Sequence, residues 1–159
     1  MTTQQTPETL TELKLTDELK QRINEAYVPN DNPLIVSYVT ESGDPATSYR
    51  GSAVALSDTQ LAVWTRNPES GFVKAGERGA NLLLMYREPN PDPKGRSQSV
   101  ITFRGKGRTS SNEAERRAVY DLMPQRERDS DADYKGVATI VELDSVIGFF
   151  PGYRLQMKK

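Results

Sequence analysis

The 159-residue chain has no cysteine and no histidine. The first absence excludes disulfides, thiol nucleophiles and thiolate metal sites, and the second excludes the usual catalytic triads and most zinc sites. Those two side chains carry out much of the nucleophilic attack, proton shuttling and metal binding of proteins near neutral pH. If the chain catalyses a reaction, the reactive atoms are expected to belong to a cofactor. The acidic residues show no convergent spacing, so no metal site is predicted. No apolar run approaches the ~20 residues needed to cross a bilayer. The opening MTTQQTPETLTELK lacks the basic-then-apolar order of a secretory signal, and a cytoplasmic protein without membrane contact is expected. Neither sign of charge dominates: 21 Lys+Arg face 22 Asp+Glu, for a net charge of -1, which gives no broad attraction to nucleic acid. There is no repeat, low-complexity tract or long linker, so one domain over residues 1–159 is expected, with an N-terminal helical segment (1–32) and a barrel (33–155).

The N-terminal segment carries helix signals. Thr16 can cap, Asp17 and Glu18 suit the first turn, and Leu19, Ile23, Ala26 and Tyr27 recur at helical spacing before Pro29. A second, earlier helical turn is expected near Thr6, with Pro7 at its first position. From Pro33 the period becomes two. LIVSYV, ATSYRGSAVAL and LAVWTR read as three strands joined by Gly/Asp/Pro/Ser turns, an antiparallel meander. SGFVKAGERG then reads as a short helix, NLLLMYRE as a buried strand and NPDPKGRSQ as a surface loop. SVITFRGKGRTS alternates, with Ile101, Phe103, Gly105 and Gly107 on one face and Thr102, Arg104, Lys106 and Arg108 on the other. Ser111 is expected to cap a helix whose apolar stripe is Ala114, Ala118, Val119 and Leu122, and GVATIVELDSVIGFF supplies one or two last strands. Six or seven strands with few helices predict a mainly β fold, a closed or split antiparallel β-barrel with peripheral helices.

The junction LAVWTRNPESGFVKAG holds more chemistry than a connection needs. If Ser70 caps the short helix, free backbone N–H groups converge beside a hydroxyl, with Lys74 one turn on and Arg66 ending the preceding strand, a constellation suited to phosphate. The competing reading makes Ser70 a plain cap and the two cations solvated. Trp64 shares a face with Ala62 and Arg66, opposite Leu61, Val63 and Thr65. If the smaller residues fill the barrel, Trp64 faces outward to a subunit interface or a flat ligand; the alternative is packing beneath the N-terminal helix. In SYRGSAVAL, Gly51 would let a flat ring approach the backbone, with Arg50 and Ser52 sharing a strand face; the alternative is a tight bend in a coiled strand.

The order SYRGSAVAL, LAVWTR, SGFVKAGERGANLLLMYRE, SVITFRGKGRTSS, a helix and GVATIVEL resembles the pyridoxamine 5'-phosphate oxidase-like flavin-binding split barrels in their short-chain form, over about Pro33 to Leu155. The resemblance implies a six-stranded antiparallel split barrel that forms a homodimer with FMN in a groove at the subunit interface. It places Arg50, Gly51 and Ser52 along the flavin ring, Trp64 and Thr65 near the ring and ribityl chain, and Arg66, Ser70 and Lys74 at the phosphate. It gives no catalytic residue. The chain lacks the Arg-x-His motif with which members that oxidise pyridoxamine phosphate hold their substrate; its tail GFFPGYRLQMKK keeps Arg154 alone. The inserted NPE of TRNPESG also spreads the basic cluster, so Arg66 is the firmer phosphate ligand and Lys74 the weaker.

The function implied is an FMN-binding oxidoreductase or flavin redox protein of unstated substrate. A deazaflavin or haem could occupy the same barrel, although haem would lack its commonest axial ligand here. The alternatives are a barrel that binds nucleotides or single-stranded nucleic acid without catalysis and a cofactor-free dimeric binding module. For the nucleic-acid reading there is the basic strip Arg104, Lys106 and Arg108; against it, Phe103 faces away from those cations.

Overall fold

The computed structural model describes residues 5–159. Helix α1 (Asp17–Asn24) begins where the sequence placed it, with the Thr16 hydroxyl accepting from the Leu19 N–H and Leu19 and Ile23 buried. The turn expected near Thr6 is instead strand β1 (Glu8–Leu10), which pairs in parallel with β9 (Tyr153–Lys158), a strand the tail was not expected to make. No local signal specifies β1, because its ladder partner lies more than 140 residues away.

Strands β2 (Leu34–Val39) and β3 (Pro45–Arg50) form a hairpin, and β4 (Ala53–Ser57) and β5 (Gln60–Thr65) a second. The run ATSYRGSAVAL is therefore two strands with a turn at Gly51 and Ser52, so Arg50 and Ser52 do not share a strand face. Helix α2 (Gly71–Glu77) leads to β6 (Asn81–Arg87), and β7 (Val100–Thr109) follows the proline-rich loop. Helix α3 (Glu113–Leu122) is capped by Asn112, whose Oδ1 accepts from the Glu115 N–H, one residue beyond the expected Ser111. Its buried residues are Val119 and Tyr120, while Leu122 is exposed: the helix turns an aromatic inward rather than an alanine stripe. Helix α4 (Gln125–Asp129) overlaps RERDSDADYKG, a stretch whose charge and lack of apolar periodicity predict a loop, and β8 (Val137–Phe150) is one 14-residue strand.

The hydrogen-bonded order is β1-β9-β8-β7-β6-β2-β3, with β5 joined to the first half of β8 and β4 to β5. The sheet curls into a barrel that stays open between β3 and β4, which share no ladder. It is a mainly β split barrel with peripheral helices, built from nine strands rather than six or seven. Asn24 helps to close the split by accepting the Ala55 N–H at 2.8 Å.

The barrel interior takes the inward residues of every strand, among them Leu34, Val36, Leu61, Val63, Leu84, Phe103 and Val146. Ile101, Phe103, Gly105 and Gly107 face this core, as their alternation predicts. A smaller cluster lies outside the barrel wall, where α3 covers Val54, Ala62, Trp64, Ala138 and Ile140. Phe72, Val73 and Ala75 of α2 are buried at one end. Among the described residues, no helix lies over the outer face of β3, β2, β6, β7 and the second half of β8. Tyr49, Val39, Ile147 and Phe149 stand exposed on it.

Candidate functional site

The junction after β5 folds as its capping chemistry dictates. Ser70 adopts extended backbone, and its hydroxyl accepts from the Val73 N–H at 3.3 Å, starting α2. Gly71 is there because a Cβ would meet the Tyr38 hydroxyl at 2.6 Å. Phe72 packs edge-on against Tyr38, which locks the start of α2 to β2.

Arg50, at the end of β3, turns inward, and its guanidinium carbon lies 5.2 Å from the centre of the Phe72 ring. It is half-buried, and its Nε is buried with no hydrogen-bond partner. Among the described residues it forms no ion pair. Burial disfavours its charge and lowers its pKa, against a smaller opposing effect of Tyr38. Thr65 ends β5 with its side chain inward, and its buried hydroxyl also lacks a partner. These two orphans are the kind of buried polar group that calls for a specific explanation. The hydroxyl of Thr139, on β8 beneath α2, is the third.

The cations of the junction are differently placed. Arg66 is exposed and forms no ion pair among the described residues. Lys74 lies between Glu69 at 3.4 Å and Glu77 at 3.5 Å, and these carboxylates, Glu69 first, raise its pKa. The pairs are solvent-exposed and so individually weak.

The remaining predicted residues are engaged within the chain. The Ser52 hydroxyl is buried and donates to the Trp64 carbonyl at 2.6 Å. Gly51 does permit the close approach of a flat ring, but the ring is that of Tyr27: a Cβ at Gly51 would meet Tyr27 at 2.6 Å and Glu127 at 2.8 Å. Trp64 does share the outward face with Ala62, yet neither solvent nor the N-terminal helix lies over it. Tyr134 stacks on it at 5.1 Å and 22°, Tyr120 meets it edge-on at 5.3 Å, and Arg116 lies 5.3 Å from its ring centre. Its indole N–H donates to Asp131, which also accepts from the Lys135 and Gly136 N–H groups. Burial pushes the Asp131 carboxyl up, but these donors together hold it below the ordinary range. Tyr134 has φ 58°, an uncommon conformation for a bulky residue, and donates its hydroxyl to Glu113.

The structure thus brings Arg50 and the Ser70 cap of α2 together at Phe72, ends β5 with an inward Thr65, leaves Arg66 exposed, and commits Gly51, Ser52 and Trp64 to packing. Tyr38 is the residue sequence reasoning missed. Its position in LIVSYV marks it only as a strand residue; the β2–β3 register sets it opposite Ala46, and it is Phe72 of α2 that links it to Arg50.

No family model matches the chain, and neither does any curated protein. Solved structures do match it. HupZ of Group A Streptococcus superposes with a TM-score of 0.60 at 14% identity, over 87% of this chain and 97% of that one. A Clostridium acetobutylicum protein of the pyridoxinephosphate oxidase family, related to general stress protein 26, gives 0.54 at 11% identity, over 87% and 95%. An FMN-binding protein from Syntrophomonas wolfei gives 0.50 at 10% identity, over 82% and 86%. The chain therefore has the fold of the pyridoxamine 5'-phosphate oxidase-like split barrels, the fold that its motifs resemble.

Proposed function

We propose that the chain binds FMN as a homodimer and works as an FMN-dependent oxidoreductase or flavin redox protein. The observation that carries this reading is the pair of buried, unpartnered polar atoms, Arg50 Nε, whose guanidinium lies against Phe72 of α2, and Thr65 Oγ1, at the end of β5 that leads into the α2 junction. A half-buried guanidinium without a carboxylate is costly unless an anion completes it. The residues suited to the phosphate are Arg50, Thr65 and Ser70, with Arg66 at the rim and Lys74 released from its glutamates. One solved neighbour of the same fold is an FMN-binding protein. Bound there, the isoalloxazine would supply the electron transfer, which suits a chain without cysteine or histidine.

Dimerisation is supported by the bare outer face of β3, β2 and β6, where Tyr49 is 71% exposed and Val39 54%. Apolar side chains gathered on one uncovered sheet mark a surface for association. Purified protein should absorb at about 450 nm, or acquire that band on reconstitution with FMN. Colourless protein that cannot be reconstituted would refute FMN binding.

A second reading, a cofactor-free dimeric binding module, has its own support. Tyr27 fills the approach at Gly51, and Trp64 is covered by Tyr134 and Tyr120. Failed reconstitution of a dimeric protein would favour it.

A further inference from the structure

The outward row of β7 is the one sequence motif that the flavin reading leaves unused. Its members have separate fates. Arg108 is consumed: Glu115 accepts from it at 2.8 and 2.7 Å and Glu142 at 2.9 Å, and these partners raise its pKa. Arg104 is exposed and forms no ion pair among the described residues.

Register shows what surrounds it. Arg104 is opposite Ser145 of β8, and Ser145 is opposite Lys158 of β9. Two strand spacings of ~4.8 Å put the backbone positions of Arg104 and Lys158 about 10 Å apart, on either side of Ser145. The next β7 residue, Gly105, is opposite Leu143, so Asp144 is the extra residue of a β-bulge. Bulges recur beside binding sites because they re-aim a side chain. This one closes tightly over Gly105, where any Cβ would overlap the Glu142 carbonyl. The Asp144 carbonyl accepts the Lys159 N–H at 2.9 Å, which fixes the last residues alongside. Asp144 forms no ion pair among the described residues. Together, Arg104, Asp144, Ser145, Ile147, Lys158 and Lys159 line an open groove of about 740 Å³.

We propose that this groove binds a small molecule bearing a phosphate or carboxylate with an amine or other N–H donor beside it. Arg104 and Lys158 take the anion above Ser145, Asp144 takes the donor, and Ile147 forms an apolar side of the groove. A carboxylate re-aimed by a bulge into a cationic groove weakens binding of a bare anion and favours a ligand that brings its own donor, so Asp144 is the selective element. None of the eight predicted flavin-site residues takes part, and the reading stands whether or not FMN binds.

The test is an NMR titration of the ¹⁵N-labelled full chain with phosphoethanolamine, β-alanine and inorganic phosphate, after each variant's spectrum has been checked for the native fold. Phosphoethanolamine or β-alanine should shift amides around Arg104, Ser145 and Lys158 saturably, and the better of the two identifies the anion as phosphate or carboxylate. The R104A/K158A variant should lose about tenfold or more in affinity, as expected when charge-assisted contacts are removed. D144N should weaken the zwitterion several-fold while leaving inorganic phosphate unchanged or tighter. Absence of saturable shifts, binding that survives R104A/K158A, or equal weakening of all probes by D144N would each overturn the proposal. Absorbance at the flavin band scores the FMN reading separately.

Discussion

The indole N–H of Trp64 donates to Asp131 Oδ2 at 2.8 Å, and the same oxygen accepts the Gly136 N–H at 2.8 Å. One carboxylate thus ties the β5 strand to the turn that opens β8, beneath α3. Replacing Asp131 with alanine leaves a buried indole donor unpaired and two turn amides without an acceptor, and should cost about 1–3 kcal/mol. Urea unfolding followed by Trp64 fluorescence would measure it, with an emission shift to the red in the native baseline.

The same carboxylate sets an acid limit. Its folded pKa is depressed, as are those of Glu113, held by Tyr134 and Arg116, and Glu115, held by Arg108. Depressed carboxylates stabilise the fold above their unfolded values of about 3.9–4.3 and lose that contribution as pH falls through the folded ones. Stability should therefore be flat from pH 7 to 5 and fall below about pH 4, and D131N should flatten part of that fall. A series of thermal melts between pH 7 and 3 would show both.

Thr65→Val separates packing from binding. Removing an unpartnered buried hydroxyl should leave the free protein as stable or slightly more so. If Thr65 holds the phosphate, the variant should bind FMN more weakly, and Arg50→Ala more weakly still, by about ten- to a hundredfold. Lys74→Ala should lose less, since the lysine must first leave Glu69 and Glu77. FMN fluorescence quenching on titration orders the three variants, and equal affinities would refute these assignments.

Tyr49→Glu places a charge on the bare sheet face of β3, β2 and β6, where Tyr49 is opposite Ile35. The variant should remain folded and sediment as a monomer where the parent sediments as a dimer. An unchanged sedimentation coefficient would move the subunit contact elsewhere.

Local chemistry made much of the fold legible. Thr16 and Ser70 cap as hydroxyls should, β7 puts Phe103 inside and Arg104 outside, and Trp64 shares its face with Ala62. What could not be read depends on partners distant in sequence. Glu8–Leu10 is a strand because β9 offers it an edge, and Trp64 is covered because Tyr120 and Tyr134 return to it from beyond β7. Gly51 illustrates both cases: the need for a small residue against a flat ring was visible, but not that the chain supplies the ring from Tyr27. The cations of the junction after β5 were legible as residue types, whereas the glutamates that hold Lys74 became relevant only once α2 was placed.

The unladdered seam between β3 and β4 gives the barrel a fault line. Asn24 of α1 holds the β4 lip and Tyr27 packs on Gly51 in the turn that joins the lips, while β3 is tied to the barrel by its β2 ladder, on which it can swing while β7 and β8 stay shut. Arg50 sits on that moving lip, so the charge buried at the end of the barrel gains or loses contact with water whenever the seam breathes.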